Sequence, residues 1–284
     1  MRFSKGHGLG NDYIVIERGE LPWELSGARV RAICDRHHGV GSDGVLVAEV
    51  AEGFALRIYN PDGSEAEKSG NGLRIFGAWL YGRGLVTLNE WFDVRLIRDT
   101  VRMRVEQELE GGALLIRVEL GRAVFDGAAV GFAPEPGVVR DYPLELGDGL
   151  TAQVNTVSLS NPHCVVFVDE LSRSDFETRA PRICTSPAFV AGTNVQFVRA
   201  IDRHSIEIMI WERGAGETLA SGSSASAASA VAVHRGLVDP GEIVVRMPGG
   251  EAIVEVSPET DVVLVAPAQI VFDGVVRPEV AHIW

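Results

Sequence analysis

Apolar and polar positions alternate along much of the chain, as in Val101-Arg102-Met103-Arg104-Val105, Leu114-Leu115-Ile116-Arg117-Val118 and Ile253-Val254-Glu255-Val256. This is the period-two pattern of half-buried strands, and Gly and Pro turns bound it. Two segments break the alternation. The stretch after Ser69 (Leu73, Ile75, Phe76, Ala78, Trp79, Leu80) and the Ala-rich run from Ala225 to Val233 are apolar nearly all round, and a helix apolar on every side is a buried one. The pattern predicts an α+β fold with two sheets, each wrapped around a central helix.

Both predicted helices open on Ser-Gly, at Ser69-Gly70 and Ser221-Gly222, 152 positions apart. The same offset relates Arg83-Gly84-Leu85-Val86 to Arg235-Gly236-Leu237-Val238, Arg57-Ile58-Tyr59-Asn60 to Met209-Ile210-Trp211-Glu212, and Glu65 to Glu217. With a small slip in register, Asn11-Asp12-Tyr13-Ile14-Val15-Ile16 resembles Asn161-Pro162-His163-Cys164-Val165-Val166, and Gly41-Ser42-Asp43 resembles Gly192-Thr193-Asn194. A duplicated unit of about half the chain explains these matches, so the two lobes are expected to be pseudo-symmetric. A length of 284 residues suits two lobes better than one core. The Gly/Pro-rich stretch from Asp126 to Pro143 places the lobes at 1–125 and 126–269.

Composition narrows the function. With 46% hydrophobic and 23% charged residues, the chain reads as a globular protein, and a net charge of −13 argues against a nucleic-acid partner. The N-terminus has no apolar leader and there is no uncharged run of spanning length, so the expected setting is the cytoplasm, with no membrane partner. Cys34, Cys164 and Cys184 lack disulfide or zinc spacing and read as buried thiols. His37-His38, beside Asp35 and near Asp43, has no companion ligand set, so no metal is expected. Gly6-His7-Gly8-Leu9-Gly10 has the wrong spacing and setting for a dinucleotide loop.

The chemistry points to the helix starts. The first N–H groups of a helix have no intrahelical partner and the macrodipole is positive there, so Ser-Gly-Asn-Gly and Ser-Gly-Ser-Ser are anion cradles. A lone serine at such a place is an ordinary N-cap. Its recurrence in matched contexts points instead to one ligand held where the two openings face each other, with a side chain aimed at each face of a carbon, a geometry suited to inverting a stereocentre. Asn11, Asn60, Asn71, Asn161, His163 and Asn194 supply polar groups nearby in the pattern. Arg213 suits a carboxylate, and Glu212 an ammonium.

Lys5-Gly6-His7-Gly8-Leu9-Gly10-Asn11-Asp12, Asp35-Arg36-His37, Gly39-Val40-Gly41-Ser42-Asp43-Gly44, Asn60-Pro61-Asp62-Gly63-Ser64-Glu65, Asn161-Pro162-His163 and Glu212-Arg213-Gly214-Ala215-Gly216-Glu217-Thr218 together strongly resemble the diaminopimelate epimerases. The blocks follow the family's order from residue 3 to about residue 226. The resemblance implies a two-lobed fold with segment 270–284 returning to the first lobe, no cofactor, a small amino-acid substrate and a homodimer. It implies two-base epimerisation of LL- to meso-diaminopimelate in lysine and peptidoglycan precursor biosynthesis.

In that family two cysteines open the two helices, one removing the α-proton and the other protonating the opposite face. Here those positions are Ser69 and Ser221. The carboxylate donors map to Gly70, Asn71, Gly222 and Ser223. The distal substrate contacts map to Asn11, Asn60, Asn161, His163, Asn194, Glu212 and Arg213. Gly44 is a second departure, because some members present a glutamine there. The alternatives are a related racemase, isomerase or dehydratase on the same scaffold, as in proline racemase-like and phenazine-pathway proteins, and an amino-acid-binding pseudoenzyme.

Overall fold

The computed structural model describes residues 1–134 and 137–277, so the end of the expected returning segment, 278–284, lies outside the described residues. The described chain divides into two compact units, one formed by Met1–Glu119 with Val265–Arg277, the other by Leu120–Leu264.

The first unit begins with β1 (Arg2–Gly8), β2 (Asn11–Glu17), helix α1 (Gly27–Cys34), β3 (Val45–Glu49), β4 (Phe54–Tyr59) and the short β5 (Glu65–Ala66). Helix α2 (Gly70–Gly82), β6 (Trp91–Arg95), β7 (Thr100–Glu108) and β8 (Leu114–Arg122) follow. Pairing runs antiparallel β1–β2, parallel β2–β3, antiparallel β3–β4, parallel β4–β6, then antiparallel β6–β7 and β7–β8. Val101, Met103 and Val105 point inward from β7 and are buried, as the alternation requires.

The second unit contains β9 (Tyr142–Gly147), β10 (Leu150–Ser158), β11 (Pro162–Phe167), α3 (Arg173–Cys184), β12 (Asn194–Asp202), β13 (Ser205–Glu212) and the short β14 (Gly216–Thr218). It continues with α4 (Gly222–His234), β15 (Gly241–Met247) and β16 (Gly250–Val256). Pairing runs antiparallel β10–β11, parallel β11–β12, antiparallel β12–β13, parallel β13–β15 and antiparallel β15–β16. The first unit has the same sequence of pairings, so the duplication read from the 152-residue offset is one of topology as well. The last strand, β17 (Asp261–Val275), pairs antiparallel with β1 and also with β8, closing an eight-stranded barrel.

Each central helix packs on its own sheet, α2 against β1, β2, β3 and β7, and α4 against β10, β11, β12, β13, β15 and β16. Residues 70 to 80 of α2 and 222 to 232 of α4 are all buried. Full burial explains why neither helix shows a polar face. Small residues at nearly every turn of α4 let the sheet approach its backbone closely. Among the described residues no helix is long and apolar enough to cross a membrane, and no group of three His, Cys, Asp or Glu side chains is placed to hold a metal.

Candidate active site

In the first unit, the site begins at a tight hairpin. Gly8 pairs with Asn11, leaving Leu9 (φ 55°) and Gly10 (φ 89°) as a two-residue left-handed turn, the type that matches strand twist. The turn delivers Asn11 to the head of β2, where it is buried.

Asn11 is one link in a chain of hydrogen bonds with a single direction. Arg74 Nη2 donates to Asn71 Oδ1, Asn71 Nδ2 donates to Asn11 Oδ1 at 2.8 Å, and Asn11 Nδ2 donates to Asp43 Oδ2 at 2.9 Å. A buried cation and a carboxylate are thus joined through two amides, whose orientations follow from the charges at the ends. Arg74 also donates to the carbonyls of Gly70 (3.2 Å) and Pro267 (2.5 Å). Burial lowers its pKa to about 9, which leaves it charged at neutral pH.

At the other end, Arg36 Nη2 donates to Asp43 Oδ1 at 2.7 Å and to Asp12 Oδ1 at 2.8 Å. Lys5 Nζ lies 2.9 Å from Asp12 Oδ2. Burial alone would raise the Asp12 carboxyl, but the hydrogen bonds from Arg36 and Lys5 outweigh it and bring the pKa to about 2. Asp12 is therefore ionised through the neutral range, while burial and the neighbouring Asp12 charge push the Asp43 carboxyl up.

Ser69 is the N-cap of α2, at φ −138° and ψ 118°, and its Oγ accepts the Gly72 N–H at 3.1 Å. Ser221 caps α4 at φ −145° and ψ 119°, and its Oγ accepts the Ser224 N–H at 3.4 Å. Each serine carbonyl accepts the first intrahelical bond at 2.9 Å, from Leu73 and Ala225. The two Ser-Gly starts are thus conformational copies. Gly70, Asn71, Gly222 and Ser223 all lie in buried first turns, where amide donors are available to an anion.

In the second unit, the β10–β11 turn uses Ser160 at φ 72° to bring Asn161 round to β11. Two residues on, His163 is fully buried. Its Nδ1 lies 3.1 Å from Gln196 Nε2 and its Nε2 lies 3.0 Å from Asn161 Oδ1. The Gln196 amide nitrogen, which faces the ring, can only donate, so the imidazole is the neutral Nε2–H form and donates to Asn161. Gln196 Nε2 also lies 3.0 Å from Ser224 Oγ in the first turn of α4. The second unit therefore ties its turn asparagine to its helix start by a neutral relay where the first unit uses a charged one.

Burial, reinforced by the Arg213 charge, lowers the His163 pKa to about 3. The folded pKa lies below the unfolded value of about 6.5, so this contribution to stability is present above pH 6.5 and is lost as pH falls toward 3. We expect the urea midpoint of a His163→Gln variant to decline less steeply than that of the parent between pH 6.5 and 4. Parallel declines would show that His163 is not the group titrating.

Asn194, opposite His163 in the parallel β11–β12 register, joins two loops: its Nδ2 donates to the Pro162 carbonyl at 2.9 Å and its Oδ1 accepts the Arg213 N–H at 3.0 Å. Arg213 Nη1 donates to the Ala191 carbonyl at 3.1 Å, and the guanidinium has no carboxylate partner among the described residues. Glu212 ends β13 beside it, and both are half-buried. Asn60 bonds within its own turn, Nδ2 donating to Ser64 Oγ at 3.0 Å.

The three cysteines are free and buried, and burial raises the pKa of each thiol. Asp35 accepts the backbone N–H groups of His37 and His38 at 2.8 and 2.6 Å, which gives that pair a turn-forming role. Arg74, Asp43, Gln196 and Ser224 were not singled out as site residues in the sequence. The available signals were one charge inside the apolar α2 run and one amide inside the apolar strand Asn194-Val195-Gln196-Phe197-Val198.

The architecture matches that of an amino-acid epimerase. A hydroxyproline epimerase from Agrobacterium vitis, with bound trans-4-hydroxy-L-proline, aligns over 99% of this chain and 93% of its own with a TM-score of 0.71, at 15% identity, a likeness of fold alone. Sequence comparison is more specific. Diaminopimelate epimerase 2 of a Nostoc species is 41% identical over 90% of this chain and 88% of its own. The diaminopimelate epimerase of Pelotomaculum thermopropionicum is 38% identical over 96% and 98%. The diaminopimelate epimerase family model matches residues 3–125 and 155–271, and the chain belongs to that family. Its class of activity is that of an isomerase.

Proposed function

We propose that the chain interconverts LL- and meso-diaminopimelate by moving the α-proton from one face of the carbon to the other, with no cofactor. The observation that carries this reading is the pair of matched N-caps: two serines in one backbone conformation, each heading a buried helix, in a chain of this family. In this reading the amides of Gly70 and Asn71 and of Gly222 and Ser223 receive the α-carboxylate, where helix dipoles oppose the negative charge that develops when the proton leaves. Ser69 and Ser221 serve the two faces. Arg213 receives the distal carboxylate and Glu212 the distal ammonium, with Asn11, Asn60, Asn161 and Asn194 fixing the remainder. His163 acts from behind Asn161.

The serines favour a second reading, binding without turnover, because an aliphatic hydroxyl is a far weaker acid than a thiol. The test is incubation with LL-diaminopimelate and chromatographic separation of the isomers, with proline and hydroxyproline as parallel substrates. Appearance of meso-diaminopimelate supports epimerisation, binding with no isomer formed supports the second reading, and inversion of proline or hydroxyproline in its place contradicts both.

A further inference from the structure

We propose that Tyr13 is the proton-relay partner of Ser69, the group through which the hydroxyl at the head of α2 loses and regains its proton. This inference rests on the assignment of Ser69 as a proton-transfer group. Tyr13 lies on β2, two residues after Asn11, and is buried. Its Oη is 3.4 Å from Ser69 Oγ, which already accepts the Gly72 N–H on another side. Contacts that carry protons are often long without substrate and tighten when it binds.

Gly44 makes the contact sterically feasible. A Cβ at position 44 would stand 2.5 Å from Tyr13 Cε1, 3.0 Å from Cδ1 and 2.4 Å from the Tyr59 carbonyl oxygen. Any side chain there would displace the ring, so the absence of one at residue 44 and the presence of a phenol beside Ser69 are a single feature of the fold.

Among the described residues, the other half of the molecule has no counterpart. The residue matching Tyr13 in the duplication is His163, and both of its ring nitrogens are taken by Asn161 and Gln196. The groups recorded at Ser221 Oγ are the Ser224 N–H and the Ser223 hydroxyl at 3.4 Å. The two serines are therefore chemically unequal. A phenol has a pKa of about 10, far nearer neutrality than an aliphatic hydroxyl.

With Tyr13 as phenolate, Ser69 Oγ takes the α-proton as its own proton passes to Tyr13 Oη. The Cα–H bond breaks, its electron pair stays on the carbon and its carboxylate, and the phenolate charge becomes the carbanion charge. Ser221 then protonates the opposite face, its alkoxide takes a proton from water, and the hydroxide so formed removes the proton from Tyr13; alternatively Ser69 returns a proton to the same face while Tyr13 Oη gives its proton back to Ser69 Oγ.

The experiment follows deuterium entry at the α-carbon of LL- and meso-diaminopimelate in D2O by NMR from pH 7 to 10.5. It compares the parent, Tyr13→Phe, and both on a Ser69→Cys background, with diaminopimelate affinity measured by calorimetry. We expect parent exchange to rise with pH as the phenol ionises, and to be faster from one α-configuration, where it outruns inversion. Tyr13→Phe, which keeps the ring and removes only the hydroxyl, is expected to lower exchange by about 10²-fold or more and to flatten the pH profile, with affinity retained. The loss should be much smaller on the cysteine background, because a thiol ionises without help.

Equal exchange in the parent and Tyr13→Phe, equal losses on both backgrounds, or no exchange by a parent that binds diaminopimelate would overturn the relay. In the first two cases, formation of meso-diaminopimelate by the parent leaves the proposed function standing; in the third, the parent binds without turnover and the second reading holds. If neither form binds diaminopimelate, the functional reading fails and takes the relay with it.

Discussion

Changing Ser69→Cys and Ser221→Cys together is expected to raise the rate of diaminopimelate epimerisation by at least about 10²-fold, since a competent proton-transfer group contributes roughly 10² to 10⁴. A free thiol ionises near ~8.5 and a helix N-terminus lowers that value. Both positions offer such an N-terminus, buried and in the same backbone conformation. The same change should lower stability. Each serine hydroxyl accepts a first-turn amide, and losing a good N-cap costs about 1 kcal/mol. A faster and less stable double variant, seen by coupled measurement of rate and Tm, is the signature of caps that occupy the proton-transfer positions. A double variant that lost stability without gaining rate would mark the serines as caps alone.

The second large effect is expected at Arg74. Replacing it with methionine preserves much of the packing volume but leaves Asn71 Oδ1 and the Gly70 and Pro267 carbonyls without the guanidinium. It also leaves the Asn71 and Asn11 amides without the cation that orients them, while Asp43 keeps Arg36. Breaking a buried charged network by removing one member costs on the order of 3–5 kcal/mol, and urea unfolding at pH 7 should register a loss of that size. Arg74→Lys should fall between, because an ammonium keeps the charge but not the fork that reaches separate acceptors. If Arg74→Met unfolded within about 1 kcal/mol of the parent, the relay would not be holding the head of α2 and the buried charge would be close to neutral for stability, an outcome seen when apolar groups replace buried ion pairs.

Much of the architecture was legible in the sequence because duplication and burial both write one-dimensional patterns. The 152-residue offset marked both helix starts, and the unbroken apolar runs after them were buried on every side, as a central helix must be. The positions of Ser69, Gly70, Asn71, Ser221, Gly222 and Ser223 within their elements followed from Ser-Gly alone.

The relays could not be read the same way. Asn71 and Arg74 share the first turns of α2, but Asn11, Asp43 and Pro267 come from three other places along the chain, and only folded backbone brings their polar atoms within bonding distance. His163 stood out by its motif, yet full burial places both its ring nitrogens on protein partners. Gly44 reads in sequence as a missing side chain. In three dimensions its space is filled by the ring of Tyr13.

The most direct test of the central claim, that two serine-capped helix starts act on the α-carbon of diaminopimelate, is the entry of deuterium at that carbon in D2O, compared between this chain and its Ser69→Cys/Ser221→Cys form. Exchange by both, strongly faster in the cysteine form and with an optimum above neutral pH, is the expected result. A cysteine form that left diaminopimelate unlabelled while labelling another amino acid would contradict the account.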